Sequence, residues 1–319
     1  MLHTYRIAIN SFRESLREPV YFMMLFGALL LIGSTPWMTL FVFREQLKLV
    51  VDGSMATTLF FSLAACVLCA TTTVSREMRN GTVLLLLSKP LSRWSFVIGK
   101  ILGIAAAAIL FCLICCFASV IAVYVAVDQF RLDMKLYIFF AALTFLSCVA
   151  GMVMNFLKGS SFSEFSAYAA ALLLGGMMGS CLIFGEEPAI SLVDFGKALF
   201  LILPAVWIMA VIAVGFSTRF DVVPSMCMCC LIFFLGLLSS YLFGGDSSNP
   251  ILSVVYQLLY AIIPNWQFFW MADALAVNNP IPSSYILWSL IYTAIYSLVA
   301  GTWAVVLFQN REAAGTREN

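Results

Sequence analysis

The sequence has little charge and almost no histidine. Only 10% of its 319 residues are charged and 63% are hydrophobic, with a mean hydropathy of +1.01. Because a soluble domain averages about 25% charged residues, this composition excludes a water-soluble enzyme and a disordered chain. The single histidine, His3, excludes a histidine-based zinc site and a catalytic triad. A net charge of +1 gives no reason to expect nucleic acid as a partner.

Two further absences concern the energy source. The chain has no G-x-x-x-x-G-K-[ST] phosphate loop, because Gly99-Lys100 and Gly196-Lys197 lack both the upstream glycine and the following hydroxyl residue. We therefore expect no ATPase activity and no cofactor in this chain. The long apolar runs are also almost free of ionisable residues. Ion-coupled carriers need carboxylates at depth, so coupling to an ion gradient is disfavoured.

The cysteines are numerous but fall inside apolar runs, unlike the polar, secreted frameworks in which disulfides occur. We expect reduced thiols that pack between helices. The alternative is a Cu(I) site, for which Cys66-x-x-Cys69, Cys112-x-x-Cys115-Cys116 and the Met/Cys run 226–230 supply soft ligands. Because helical neighbours face different ways, the third cluster cannot present all its sulfurs together, so we predict no metal site.

What the chain does have is a series of apolar runs of about 20 residues, the length that a spanning helix needs. They predict an all-α integral membrane protein with eight transmembrane helices. The predicted spans are 20–43, 55–74, 96–127, 136–157, 165–184, 198–216, 223–243 and 285–308. An even number of spans places both termini on the same side of the membrane, with 309–319 as a tail.

The distribution of lysine and arginine predicts the orientation. With a cytoplasmic N-terminus, inside segments hold twelve of the seventeen Lys and Arg residues and outside segments hold five. This is the positive-inside asymmetry, and it predicts a multi-pass protein of the cell membrane with both termini cytoplasmic. The segment 244–284 is then external. Its apolar run 251–263 is too short to span, and the aromatic cluster 266–270 favours a segment in the outer interface or one that dips back.

Residues 1–19 have the pattern of an amphipathic helix lying at the membrane surface. One stripe is apolar, with Tyr5, Ile9, Phe12 and Leu16, and the opposite stripe is polar, with Arg6, Asn10, Arg13 and Arg17. The alternative is a solvated cationic leader, which the apolar stripe disfavours. Glu18-Pro19 then begins the first span.

The segment 75–95, between the second and third spans, is predicted to be a cytoplasmic loop. Its apolar run 83–87 is too short to span and needs a surface to bury against, which favours a docking segment over a loop of caps and topology charges. Ser92 suits the N-cap of the next helix. We expect Arg93, Trp94 and Lys100 to anchor that helix at the inner interface.

This segment also resembles a known family. Glu77-x-x-x-Gly81-Thr82, then Leu-Leu-Ser88-x-Pro90-x-Ser92-Arg93, then Gly99-Lys100, is similar to the signature loop of type-2 ATP-binding-cassette (ABC) exporter permeases. The resemblance extends to Arg-Glu18-Pro19 before the first span and to the end of the last helix at 307–312.

The resemblance implies a membrane subunit that dimerises with a second permease protomer and pairs with a separately encoded P-loop ATPase, which binds the ATP. It implies an elbow helix at 1–19 that includes Arg6, Arg13, Arg17 and Glu18. It also implies a coupling loop to the ATPase, carried by Glu77, Gly81, Thr82, Ser88, Pro90, Ser92 and Arg93. Eight spans exceed the six that are commonest in the family.

Together these observations predict the permease of an ABC exporter, which moves its substrate by alternating access driven by the ATPase. The alternative is a non-transporting integral membrane protein with an interaction or assembly role. The apolar, charge-poor spans favour a lipidic, amphiphilic or large hydrophobic cargo.

Overall fold

The computed structural model describes residues 2–39, 46–79, 93–127, 131–185, 188, 190–243, 250–277 and 279–315. This part of the chain is almost entirely helical, and eight of its helices are long and apolar enough to cross a membrane. The all-α class and the number of spans predicted from the sequence are confirmed. The only described strands are two residues each, Ala126–Val127 (β1) and Arg131–Leu132 (β2), which pair antiparallel.

The helices follow one another in a simple order. They are α1 (Leu2–Arg17), α2 (Pro19–Met38), α3 (Gln46–Arg79), α4 (Arg93–Val125), α5 (Met134–Lys158), α6 (Phe162–Phe184), α7 (Leu192–Arg219), α8 (Val222–Phe243), α9 (Pro250–Ile262), α10 (Ala272–Ala276) and α11 (Ser283–Gly315). A 3₁₀ turn at Trp266–Phe269 separates α9 from α10.

Local chemistry explains several helix ends. Pro19 occupies the first turn of α2 after an extended Glu18, where its missing N–H is not needed and its fixed φ suits the helix. The Asp133 carboxylate caps α5 by accepting hydrogen bonds from the backbone N–H groups of Lys135 and Leu136, at 3.0 and 3.1 Å. Gly159 ends α5 with φ +61°, a left-handed conformation that favours glycine.

Two helices form the centre of the bundle. α4 packs against α1, α2, α3, α5, α6, α7 and α11, and α7 packs against α3, α4, α8 and α11. Their buried faces are rich in alanine and valine, which let neighbouring helices approach closely. α5 and α8 instead expose large apolar side chains such as Phe145 and Phe234 over much of their length, as helices that face lipid do.

The spanning helices alternate in direction, so the bundle has two ends. At one of them, which we call the elbow end, α1 lies beside the start of α4, and the ring of Phe96 stacks on Phe308 near the end of α11 at 5.4 Å. The Ser75 hydroxyl at the end of α3 donates a hydrogen bond to the Phe220 carbonyl, where α7 ends. The described first and last residues, Leu2 and Gly315, therefore belong to helices that meet at the same end.

The helices extend beyond several of the predicted spans, most clearly in α3. Its 34 residues are about 50 Å long at 1.5 Å per residue, whereas the hydrocarbon core is about 30 Å thick. The last turns of α3 carry Arg76 and Glu77, and α4 begins at Arg93, so these residues of the predicted loop 75–95 are helical. The interior of that loop, 80–92, lies outside the described residues.

Residues 250–277 and 279–281 belong to a segment that enters the bundle and returns. The Tyr296 hydroxyl, in the middle of α11, donates a hydrogen bond to the Ile262 carbonyl at 2.8 Å. The Trp266 indole N–H donates to the Ile232 carbonyl in the middle of α8. Trp266 and Phe269 are fully buried, so these two rings pack inside the protein and do not face the interface. The contacts favour a segment that dips back between α8 and α11.

Candidate functional site

The candidate site lies at the elbow end, where α1 packs along α4. Gly99 and Gly103 face α1 so closely that a Cβ at Gly103 would collide with the Ala8 carbonyl oxygen and lie 2.7 Å from the Ser11 Cβ. Small residues therefore form the seam between the two helices. Close approach at the glycines requires small residues of α1, such as Ala8 and Ser11, to face α4. Tyr5 belongs to the predicted apolar stripe but points away from this seam, so it is 66% exposed.

A buried lysine sits beside this seam. The Lys100 side chain is only 3% exposed, and its Nζ lies 2.7 Å from Glu77 Oε1 and 3.4 Å from Glu14 Oε2. One ammonium group thus joins α1, the last turns of α3 and the first turns of α4. A buried charge is expensive unless it is paired, so the two carboxylates account for its position.

Two further ion pairs surround it. Arg76 Nη1 lies 2.9 Å from Glu18 Oε1, which links the end of α3 to the junction of α1 and α2. Arg17 Nε donates to Glu164 Oε2 at 2.8 Å, which links the end of α1 to the first turn of α6. Both guanidinium groups are more than half exposed, whereas the carboxylates are largely buried. We call the set of these seven side chains the elbow network: Glu14, Arg17, Glu18, Arg76, Glu77, Lys100 and Glu164.

The structure separates the predicted site residues into three groups. Glu77 belongs to the elbow network, and Arg93 is the exposed first residue of α4. Gly81, Thr82, Ser88, Pro90 and Ser92 lie outside the described residues.

Of the residues predicted for the N-terminal helix, Arg6 and Arg13 lie on its exposed face, as the polar stripe indicates. Arg17 and Glu18 take part in the ion pairs described above.

One interpretation of the sequence was wrong. Lys100 was expected to anchor α4 at the membrane interface, but its ammonium group is enclosed by Glu14 and Glu77. Arg76, Glu164 and Glu14 also belong to the elbow network, which was not predicted from the sequence. The sequence does indicate that these three residues lie on the same side of the membrane, because each is near the end of a segment that the predicted spans place there. The pairing itself requires knowing which helices are neighbours.

The elbow network connects the two helices that flank 80–92. Glu77 lies near the end of α3 and Lys100 near the start of α4, and the network joins both helices to α1 and α6. Charged groups pair at defined distances and angles, so these ion pairs specify which helix ends are neighbours.

The cysteines are free thiols, and eight of the ten are buried. Cys66 and Cys69 face carbonyl groups of Val206 and Ser15, at 3.9 and 4.0 Å. On α8, Cys227 and Cys230 are exposed while Cys229 is buried, so the sulfurs of that cluster point different ways. Among residues with described positions, no group of three or more His, Cys, Asp or Glu side chains could hold a metal ion.

Comparison with known families decides the identity of the bundle. A family model described as ABC-2 family transporter protein matches residues 5–185, which are 181 of the 319 residues. The chain belongs to the ABC-2 transporter family. The match extends from α1 to the end of α6 and includes every residue of the elbow network. A comparison with curated proteins finds no match to the chain.

Membership makes this chain a membrane subunit of the ABC-2 type, in agreement with the resemblance carried by the loop motif. Subunits of this family generally have no ATPase motifs of their own, which agrees with the absence of a phosphate loop from the sequence. The matched region ends before α7, so the last three spanning helices and the segment between α8 and α11 lie beyond the family match.

Proposed function

We propose that this ABC-2 protein is the permease of an ABC exporter and that a separately encoded P-loop ATPase docks at the elbow end. The observation that carries the proposal is the position of Lys100. It joins Glu77, three residues before the segment 80–92, to α4 immediately after that segment and to α1. The ATPase binds the ATP, and this chain supplies the transmembrane path.

The network offers a route from the docking segment into the bundle. Movement of 80–92 displaces the ends of α3 and α4 together, because Lys100 and Glu77 form a buried pair. α4 is packed against seven other described helices, so a tilt of α4 changes the spacing of the bundle. In the proposed cycle, closure of the ATPase drives alternating access in a dimer of this chain with a second permease protomer.

We place the elbow end in the cytoplasm and the protein in the cell membrane. Cations concentrate where helices begin or end at that side, including Arg17, Arg76, Lys100, Lys158 and Arg219. The opposite end carries fewer described cations, among them Arg131, Lys135 and Lys197. This asymmetry supports cytoplasmic termini by the positive-inside rule.

The residues of the proposed coupling element are those named by the resemblance: Glu77, Gly81, Thr82, Ser88, Pro90, Ser92 and Arg93. Of these, Arg93 is exposed at the start of α4, whereas only 18% of the Glu77 side chain is exposed. Their roles therefore differ. Arg93 contacts the ATPase, and Glu77 transmits its movement through Lys100.

The test is copurification of the tagged full chain from native membranes, with identification of bound proteins by mass spectrometry. We expect a P-loop ATPase, and we expect the complex in lipid to hydrolyse ATP faster than the ATPase alone. Arg93→Ala and Thr82→Ala should insert normally but lower this stimulation at least tenfold. Lys158→Ala, which removes an exposed cation at the same end, is the matched control and should change nothing.

Two results would contradict the proposal. If no ATPase copurifies, the partner is wrong. If an ATPase binds but the permease never changes its rate of hydrolysis, the chain is a membrane anchor and the non-transporting alternative is correct.

A further inference from the structure

A long apolar groove lies on the outer surface of the bundle between α4, α7 and α11. Its volume is about 710 Å³, within the roughly 300–1,000 Å³ of small-molecule sites. Along α4 the lining extends from Trp94 to Ile109, which is about 22 Å at 1.5 Å per residue. α7 contributes Trp207 and Pro204 to one wall, and α11 contributes the opposite wall.

The groove walls have no unsatisfied hydroxyl donors on α11. Thr293 donates to the Ser289 carbonyl at 2.8 Å, and Ser297 donates to the Thr293 carbonyl at 2.6 Å. The Thr302 hydroxyl donates to the Val299 carbonyl at 2.8 Å. Each hydroxyl that lines the groove is therefore bonded within its own helix. A ligand needs no polar atoms along this length, so the groove suits a hydrocarbon chain.

The depth and the mouth of the groove indicate which hydrocarbon chain. The groove starts at Trp94, the second residue of α4, and continues inward for about 22 Å. One leaflet of the hydrocarbon core is about 15 Å thick, so the groove is long enough for an acyl chain of that leaflet. Tryptophan is enriched at the membrane–water interface, where its ring lies at the level of the lipid headgroups. Trp94 is 47% exposed there, so an indole ring stands at the mouth of the groove.

We propose that this groove binds one acyl chain of a membrane phospholipid from the leaflet at the elbow end, with the lipid headgroup beside Trp94. Binding here joins α4, α7 and α11 around one lipid molecule. The proposal does not depend on an ATPase, because it concerns only the lipid-facing surface.

Gly301 offers a precise test. It lines the groove, and a Cβ added there would meet nothing within 4 Å, so a larger side chain fits the helix and fills the groove. Gly301→Leu should therefore exclude the acyl chain without disturbing the fold. Gly176→Leu is the matched control, since Gly176 also has open space around its Cβ but lies on α6, away from the groove.

The measurement is native mass spectrometry of the full chain purified in a delipidating detergent, with identification of retained lipids. We expect wild-type protein and Gly176→Leu to retain phospholipid and Gly301→Leu to retain at least tenfold less. Leu298→Trp, at a groove position that is 72% exposed, should have the same effect and serves if Gly301→Leu does not fold.

The other outcomes overturn the proposal. Equal phospholipid in all variants, or none in the wild type, would show that the groove does not hold lipid. A retained molecule other than a phospholipid would make the groove a cargo site. A change of oligomeric state in Gly301→Leu with unchanged phospholipid would make the groove an interface between copies of this chain.

Discussion

At the residue scale, the stability of the elbow end depends on Lys100, whose buried ammonium group needs its carboxylate partners. Removing one partner of a buried ion pair costs roughly 3–5 kcal/mol, and because Glu14 remains near Nζ we expect about 2 kcal/mol for Glu77→Gln. Adding Lys100→Met should recover at least half of this loss, since the buried ammonium group is then gone and the carboxylate that loses it, Glu14, is 29% exposed. Thermal unfolding in detergent measures both values.

The control for this cycle is Lys158→Gln, an exposed cation at the end of α5, which should stay within about 0.5 kcal/mol of the wild type. If Glu77→Gln proved as stable as this control, the buried pair would not hold the helices together. The result also guides coupling experiments, because a Glu77 variant must be compared at equal amounts of folded protein.

Gly103 tests the seam between α1 and α4. A Cβ at this position would meet the Ala8 backbone, which cannot move without displacing α1, so we expect Gly103→Val to cost about 1–3 kcal/mol, as overpacking does. Residues 2–17 should also become more sensitive to proteolysis. Gly176→Val, with open space around its Cβ, should do neither. Equal stability of the two variants would mean that α1 does not pack on α4.

At the element scale, the segment between α8 and α11 is held by side-chain hydrogen bonds of Asn265. Its Nδ2 donates to Ser240 Oγ at 2.9 Å and to Tyr260 Oη at 3.1 Å, and its Oδ1 accepts from the Gln267 N–H. Each such bond contributes about 1 kcal/mol net. Asn265→Ala should therefore speed amide hydrogen exchange in 250–276 about tenfold or more.

The matched control is Gln257→Ala, because the Gln257 amide on α9 makes only a long, exposed contact of 3.5 Å to Ser253. Exchange in α4 and α7 should not change in either variant. Faster exchange throughout the bundle after Asn265→Ala would mean that the segment is part of the core and does not open independently.

At the scale of the whole molecule, the orientation in the membrane is open to a direct test. Arg131→Cys marks the end opposite the elbow and Lys158→Cys marks the elbow end. A membrane-impermeant maleimide added to intact cells should label position 131, and it should label position 158 only after permeabilisation. Wild-type protein is the blank, since eight of its cysteines are buried and Cys227 and Cys230 lie on α8, whose exposed face is apolar.

Labelling of position 158 from outside would reverse the proposed orientation and move the docking surface to the wrong compartment for ATP. Labelling of both positions in intact cells would contradict the alternation of the eight helices.

Much of this arrangement was predictable from the chain alone. Eight runs of about 20 apolar residues specify eight helices, because backbone groups in hydrocarbon must bond within their own segment. The amphipathic pattern of residues 2–17 and the proline at position 19 specify a separate N-terminal helix. These properties are local, since they depend on residues close together in sequence, and local patterns can be read without the fold.

The partners of each charge could not be predicted in the same way. Lys100 and Glu14 are 86 residues apart, and Arg17 and Glu164 are 147 apart, so only the packing of the helices brings them together. The path of the segment between α8 and α11 could not be predicted either, because a 13-residue apolar helix can lie in the membrane interface or dip into the bundle. Local composition determined which segments are helices. The tertiary structure decided which charges pair, where Trp266 is buried and where a groove remains. These features depend on which segments are neighbours in space, and the order of the segments along the chain does not specify that.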